Sequence, residues 1–301
     1  MAAPRQIVVM SNCQTGGLHA SLAAMLPDDV ITPIAWLGTE PEYLRAVLGF
    51  ADVWVSSLPR AQSEALAAEV GCRAEIIPIP TIWFPGFHPD LIHVPLPGGG
   101  ELESAIGPYH SAIVVWGWQH GWSAEQILDH FTLATFDALG YLHAWGTAVG
   151  QVRTIVEEAE MDFATWFLPL VGRGPFMLTD NHPRVDALIQ LARPIAAHLG
   201  ADPGLVRFGW EQVLTDGLQT TSVVWPVYPG VAEALGFPGA FVWRAVDGSL
   251  LGLREFVEGS LARYAEVDPT SVSIARFAAD PRCAAALGGT VLGRATAAAG
   301  A

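Results

Sequence analysis

The sequence predicts an α/β protein: a small parallel sheet near the N-terminus, embedded in a predominantly helical body. Three observations carry that expectation. Short apolar runs alternate with helical patterns as far as Ile79, and such alternation builds βαβ units with a parallel sheet. A connector rich in Pro and Gly then intervenes. Beyond it, long stretches with apolar residues three and four apart read as helices.

The elements follow in order. Gln6 to Ser11 is a compact apolar run ending in small polar residues, a strand. Thr15-Gly16-Gly17 turns the chain into a helix over Leu18 to Leu26, stopped by Pro27. Asp29 to Ala35 is a second strand. Pro41 to Leu48 is a helix opening on proline, whose missing N–H costs nothing there. Ala51 to Ser56, a helix over Gln62 to Val70 ended by Gly71, and Ala74 to Ile79 complete the alternation. Pro78-Ile79-Pro80, Pro85-Gly86, Pro95-Leu96-Pro97 and Gly98-Gly99-Gly100 form the connector. Ala112 to Trp116 reads as a further strand. Helices are expected over Ser123 to Trp145, Gly150 to Phe167, Arg184 to Leu199 and Leu253 to Ala265, and Ser123 with Gln126 makes a capping box. The expected organisation is an α/β portion over 1–120 and a mostly helical portion over 121–301 packed against it. The Ala/Gly tail from Ala295 to Ala301 is expected to fray.

Composition narrows the function. Hydrophobic residues make up 51% of the 301. Runs such as Ile7 to Met10, Ile76 to Ile79 and Ala112 to Trp118 nevertheless fall well short of the ~20 residues a membrane helix needs, so no transmembrane segment is expected. The N-terminus lacks the ordered regions of a secretory signal, which points to the cytoplasm. A formal charge of -15 repels nucleic acid and anionic lipid. The chain has no lysine, which excludes a Schiff-base lysine, a lysine-bound pyridoxal and a P-loop lysine. Three cysteines, Cys13, Cys72 and Cys283, are too few and too far apart for a disulfide framework or a zinc site. No metal is expected.

Four segments carry residues capable of chemistry. Asn12-Cys13-Gln14 follows the first strand and precedes a helix, at the sheet edge where open α/β sheets place ligands. A helix N-terminus lowers a thiol pKa and offers N–H groups to an oxyanion, while Asn12 and Gln14 add side-chain donors. The ordinary alternative is a small cysteine filling a turn. Thr179-Asp180-Asn181-His182-Pro183 places a histidine, the natural general base for a cysteine, at a helix start. Asp180 or Asn181 would orient its ring, or merely cap the helix. Pro80-Thr81-Ile82-Trp83-Phe84-Pro85-Gly86-Phe87-His88-Pro89-Asp90 is apolar and turn-like at first and ends with a His and an Asp at a rim. It reads as a substrate-binding edge or a second acid/base, or as a rigid loop whose His88 and Asp90 cap neighbouring backbone, a structural part in view of the pocket. Val115 to Trp122 and Trp225 to Pro229 offer aromatics to a flat ligand, although aromatic core is their commoner meaning. Phosphate would have to be met by arginine; Arg153, Arg173 and Arg184 are the candidates.

These motifs together resemble one family. Asn12-Cys13-Gln14, Phe87 to Asp90, Asn181-His182-Pro183 and Trp225 to Pro229 are similar to those of WcbI-type capsular-polysaccharide biosynthesis proteins, from residue 6 to about 265. The resemblance implies coenzyme A or acetyl-CoA as cofactor and transfer of acetyl to a sugar hydroxyl of a surface polysaccharide. It also implies a carbohydrate or polysaccharide-precursor acceptor and association with the polysaccharide assembly machinery. By it, Cys13, His182 and Gln14 would be catalytic, with Asn12, Thr15, Gly16, His88, Asn181 and Arg184 against the cofactor. The segments are also similar to those of SGNH-type esterases and acetyltransferases, with Cys13 where those use serine. The Asp180–His182 spacing is one residue shorter than the usual pair there.

Three functions follow. The first is an acyl-CoA-dependent O-acyltransferase, with Cys13 either taking the acyl group or only positioning the thioester. The second is a cysteine-dependent esterase or thioesterase, and the third a non-catalytic protein that binds coenzyme A or a nucleotide.

Overall fold

The computed structural model describes residues 3–36, 39–215, 217–275, 277 and 281–288; the tail expected beyond Ala295 lies outside them. The chain divides into two units, Met1–Phe84 with Val149–Thr220, and Pro85–Ala148 with Thr221–Ala301. Residues 120 and 121 both belong to the second unit.

The first unit holds a parallel sheet of β1 (Gln6–Ser11), β2 (Val30–Ala35), β3 (Val53–Ser56) and β4 (Glu75–Pro78), in the order β2-β1-β3-β4. Three helices connect them: α1 (Thr15–Met25), α2 (Pro41–Gly49) and α3 (Arg60–Val70). The α/β class and the alternation are as the sequence predicts. Side chains alternate across β1. Val8 and Met10 join Leu48 of α2 and Ala67 of α3 in one buried cluster, while Ile7 and Val9, equally buried, face the other way. There α1 packs against the helix Val185–His198. The apolarity of the sequence is therefore spent on covering both faces of the sheet, as parallel sheets require.

Both sheet edges are blunted by proline. Glu75 and Ile79 N–H groups donate to the β3-side carbonyls of Asp52 and Ser56 (3.0 and 2.9 Å), so Ile76 and Pro78 turn their backbone groups outward. On the opposite edge, Val30 and Trp36 donate to Arg5 and Ser11 (2.9 and 3.0 Å), which turns Pro33 outward. A proline offers no N–H to an added strand, and edges with one resist extension.

The second unit corrects the sequence reading of Ala112 to Trp116. This segment is helical, over Ala112–Gln119, rather than a strand. Ala112 through Gly117 are all buried, and a run buried on every side has no period to distinguish strand from helix. Its start decides the matter. Ser111 Oγ accepts the Val114 N–H at 3.2 Å, and Asp90 accepts the N–H groups of Ala112 (2.9 Å, backbone carbonyl) and Ile113 (3.2 Å, carboxylate). The helix expected from Ser123 also breaks. Its capping box forms as predicted, but the helix ends at Leu128, and a second runs only from Leu133 to Ala138 before Gly140 adopts φ 72°. Trp225 and Trp243 are core residues; Trp243 stacks on Phe256 at 4.3 Å. Among the described residues no helix is long and apolar enough to cross a membrane.

Candidate functional site

In the first unit the chain leaves β1 for β2 on one side and returns to β3 on the other. That reversal is a topological switch point, and open α/β sheets hold their ligands just outside the carboxyl ends of the strands there. Three segments meet this edge: Asn12 to Gln14 after β1, Ser57 to Pro59 after β3, and Ile79 to Phe84 after β4.

The turn after β1 is folded by its own polar residues. Asn12 Oδ1 accepts the Gln14 N–H at 3.0 Å, an Asx turn. The Asn12 carbonyl accepts both the N–H (3.1 Å) and the hydroxyl (2.8 Å) of Thr15. The first helical bond of α1 runs from the Leu18 N–H to the Gln14 carbonyl, 3.2 Å. The amides of Gly16 and Gly17 precede it, no side chain caps the helix, and no acid stands in its first turn. The positive end of the helix dipole thus lies beside Cys13, which is exposed, as is Gly16.

Gln14 is placed differently. It is fully buried, and its amide makes a two-way pair with the backbone of Ile82. Nε2 donates to the carbonyl at 2.9 Å and Oε1 accepts the N–H at 3.1 Å. A further 3.5 Å contact reaches the carbonyl of Asn181. Gln14 therefore ties the cysteine turn to the segment after β4 and to the histidine segment.

That histidine segment is a narrow loop. Leu178 donates to the His182 carbonyl (2.7 Å) and Arg184 to that of Phe176 (2.8 Å). Thr179 Oγ1 donates to Asn181 Oδ1 (2.8 Å) and accepts the His182 N–H (3.2 Å). Asn181 and His182 are half-buried and Arg184 is exposed, capping the helix Val185–His198. The Asp180 carboxylate accepts the indole N–H of Trp83 at 3.1 Å, and its carbonyl accepts the Phe84 N–H at 2.7 Å.

Sequence reasoning misses two parts of this site. One is the link from Trp83, within the segment read as a substrate-binding edge, to Asp180 across 97 positions. The other is a cavity of about 400 Å³ at the carboxyl ends of β3 and β4, lined by Leu58, Pro59, Arg60, Ile79, Thr81 and Glu158. The strand order would have pointed to it, but apolar runs do not encode their neighbours. Of the arginines named for phosphate, Arg153 lies over the Phe163 ring (4.5 Å) and Arg173 pairs with Glu211 (3.6 Å). Cys72 is half-buried and Cys283 buried.

The expected rim at His88 and Asp90 is interior. Both belong to the second unit, at 1% and 0% exposure. Asp90 accepts hydrogen bonds from Tyr141 Oη (2.7 Å) and Tyr228 Oη (2.8 Å). Burial pushes its pKa up to about 6 against the pull of those bonds. Among the described residues no group of three or more His, Cys, Asp or Glu is arranged to hold a metal ion.

Curated proteins give no match to the chain. A solved structure is similar in fold, with a TM-score of 0.66 and 14% identity, covering 94% of this chain and 98% of that one. It is WcbI, described as a novel polysaccharide biosynthesis enzyme, in its native form without a disulfide bond between coenzyme A and a cysteine of that protein. The family model for the polysaccharide biosynthesis enzyme WcbI matches residues 6–204. With more than half of its length so matched, the chain belongs to the WcbI family of polysaccharide biosynthesis enzymes.

Proposed function

We propose that this protein transfers an acetyl group from acetyl-CoA to a sugar hydroxyl during polysaccharide biosynthesis, in the cytoplasm where that donor is made. The observation that carries the reading is the exposed Cys13 thiol beside the uncapped first turn of α1, at the sheet's switch point. A thioester is assigned to this edge, its carbonyl oxygen accepting from the amide of the exposed Gly16, with Asn12, Thr15, Asn181 and Arg184 assigned to the cofactor. The solved relative supports a coenzyme A donor, since its description names coenzyme A together with a cysteine, there without a disulfide bond between them.

The chemistry balances with the chain's own groups. His182 takes the Cys13 proton, and Sγ attacks the thioester carbonyl. The donor's C–S bond breaks, coenzyme A leaves as the thiol with the proton from His182, and Cys13 carries the acetyl. A sugar hydroxyl then attacks that carbonyl, His182 takes the hydroxyl proton, the acyl–Sγ bond breaks, and the proton returns to Cys13. Gln14 holds the turn in place and does not itself move a proton.

Thermal shift with coenzyme A and acetyl-CoA tests the binding, because a ligand of the folded state raises the melting temperature. Cys13→Ala and His182→Ala should alter the shift, and intact-mass measurement should find acetyl on the wild type but not on Cys13→Ala. Full turnover by Cys13→Ala would sink the covalent route and leave direct attack by the hydroxyl. Release of acetate without a sugar would favour a thioesterase. No shift at millimolar ligand would remove the donor altogether.

A further inference from the structure

The segment after β4 buries its apolar residues with one exception. Ile82 and Phe84 are both fully buried, whereas Trp83 between them is 38% exposed. Leaving the largest side chain in water forgoes a large burial gain, yet the ring is not loose. Its indole N–H is held by the carboxylate of Asp180, itself only 3% exposed, at 3.1 Å. The backbone on either side is fixed as well: Ile82 by the amide of Gln14, and Phe84 by the carbonyl of Asp180. Pro80 and Pro85 stiffen the segment further. An exposed aromatic side chain that is oriented in advance loses little entropy when a ligand packs on it.

We infer that Trp83 is the platform on which the acceptor's pyranose ring stacks, presenting its hydroxyl to the Cys13 turn; this rests on the transfer reading above. Reach decides between the two rings the reaction would bring. Gln14 follows Cys13 and touches Ile82, which precedes Trp83, so Cys13 and Trp83 lie one residue either side of a single contact. With the donor's sulfur at Cys13, the adenine sits at the far end of the pantetheine arm, whereas the acceptor's hydroxyl has to reach the thioester carbonyl itself. The apolar C–H face of a hexopyranose suits the indole.

Saturation-transfer NMR on the full chain tests this, with methyl β-D-glucopyranoside, methyl β-D-galactopyranoside and methyl α-D-mannopyranoside as probes and glycerol as control. At least one glycoside should receive saturation on its ring C–H protons, and Trp83→Ala should weaken it about fivefold, the worth of one aromatic stack. Trp83→Phe should keep most of the signal. Asp180→Asn, whose amide oxygen still accepts the indole N–H, should retain it, while Asp180→Ala should lose part. The melting-temperature shift with coenzyme A should be the same in Trp83→Ala as in the wild type, showing the donor site intact. Equal saturation in wild type and Trp83→Ala would overturn the inference, as would no saturation of any glycoside by a wild type that still binds coenzyme A. Loss of the coenzyme A shift in the wild type would overturn the donor reading instead, and the glycoside arms would still decide Trp83.

Discussion

Two short segments carry residues of similar promise, the turn Asn12 to Gln14 in the first unit and the stretch Pro85 to Asp90 in the second. In the turn, Cys13 and Gly16 are exposed, and no side chain caps the start of the helix ahead of its first helical bond. In the stretch, Asp90 is fully buried and accepts from two tyrosine hydroxyls and from the first amides of the helix Ala112–Gln119. Donors without internal partners are what a ligand site needs. Donors all spent inside are what a core needs. A carboxylate next to a histidine in sequence does not tell these apart; only the count of satisfied groups does.

If that contrast is right, the largest effect belongs to Asp90. Asp90→Ala strands two buried hydroxyls and the start of a helix, and removing one partner of a buried charged network costs about 3–5 kcal/mol. Chemical denaturation should show that loss in the second unit, and a loss below about 1 kcal/mol, the scale of an exposed ion pair, would break the comparison. Its pH dependence sharpens the point. Asp90 has its folded pKa raised to about 6 by burial, so its stabilising contribution is present below the unfolded value near 4 and is lost as pH rises through 6. Burial lowers the pKa of His110 to about 4, against the opposing pull of its hydrogen bond to the Leu102 carbonyl. Its contribution is full above the unfolded value near 6.5 and is lost as pH falls through 4. The two slopes oppose each other between pH 4 and 6. Asp90→Asn should therefore uncover stability that rises with pH across this window, and an unchanged pH profile would count against a titrating Asp90.

The sequence marks β1 at its observed bounds because the apolar run ends in residues with turn chemistry, and Asn12 does make that turn. The same logic locates Cys13 at the sheet edge. It fails for Ala112 to Trp116, where β-branched residues suggest a strand but a cap on Ser111 and a carboxylate from Asp90 start a helix. Nor does it foresee that Gln14, read as a catalytic donor, pairs its amide with Ile82, 68 positions away. Local pattern carries local structure; partners brought in by the fold do not announce themselves.

Gln14 gives the next prediction in size. Gln14→Leu keeps the bulk but leaves the Ile82 N–H and carbonyl buried without partners, at about 1–3 kcal/mol. If Gln14 only holds the turn, the variant should lose that stability, and coenzyme A binding should fall with it. Gln14→Glu should fare better, since a carboxylate oxygen can still accept the Ile82 N–H. Should Gln14→Leu keep full stability while turnover is abolished, a direct chemical role would replace the positioning one.

Gly16→Ala is the mildest change and probes the first turn of α1 alone. The Cβ meets nothing within 4 Å and the backbone is not left-handed there, so no strain arises. Replacing a helical glycine narrows the unfolded ensemble and stabilises by about 0.4–1 kcal/mol. The melting temperature should rise by about 1–3 °C, since each kcal/mol is worth a few degrees in a chain of this size. The methyl group, however, stands on the exposed surface beside Cys13, next to the amide assigned to the thioester oxygen. Stability and affinity should therefore move in opposite directions: a firmer fold and a smaller shift with acetyl-CoA. A variant that gains stability and binds acetyl-CoA as the wild type does would show that the first turn of α1 is open for some reason other than the ligand.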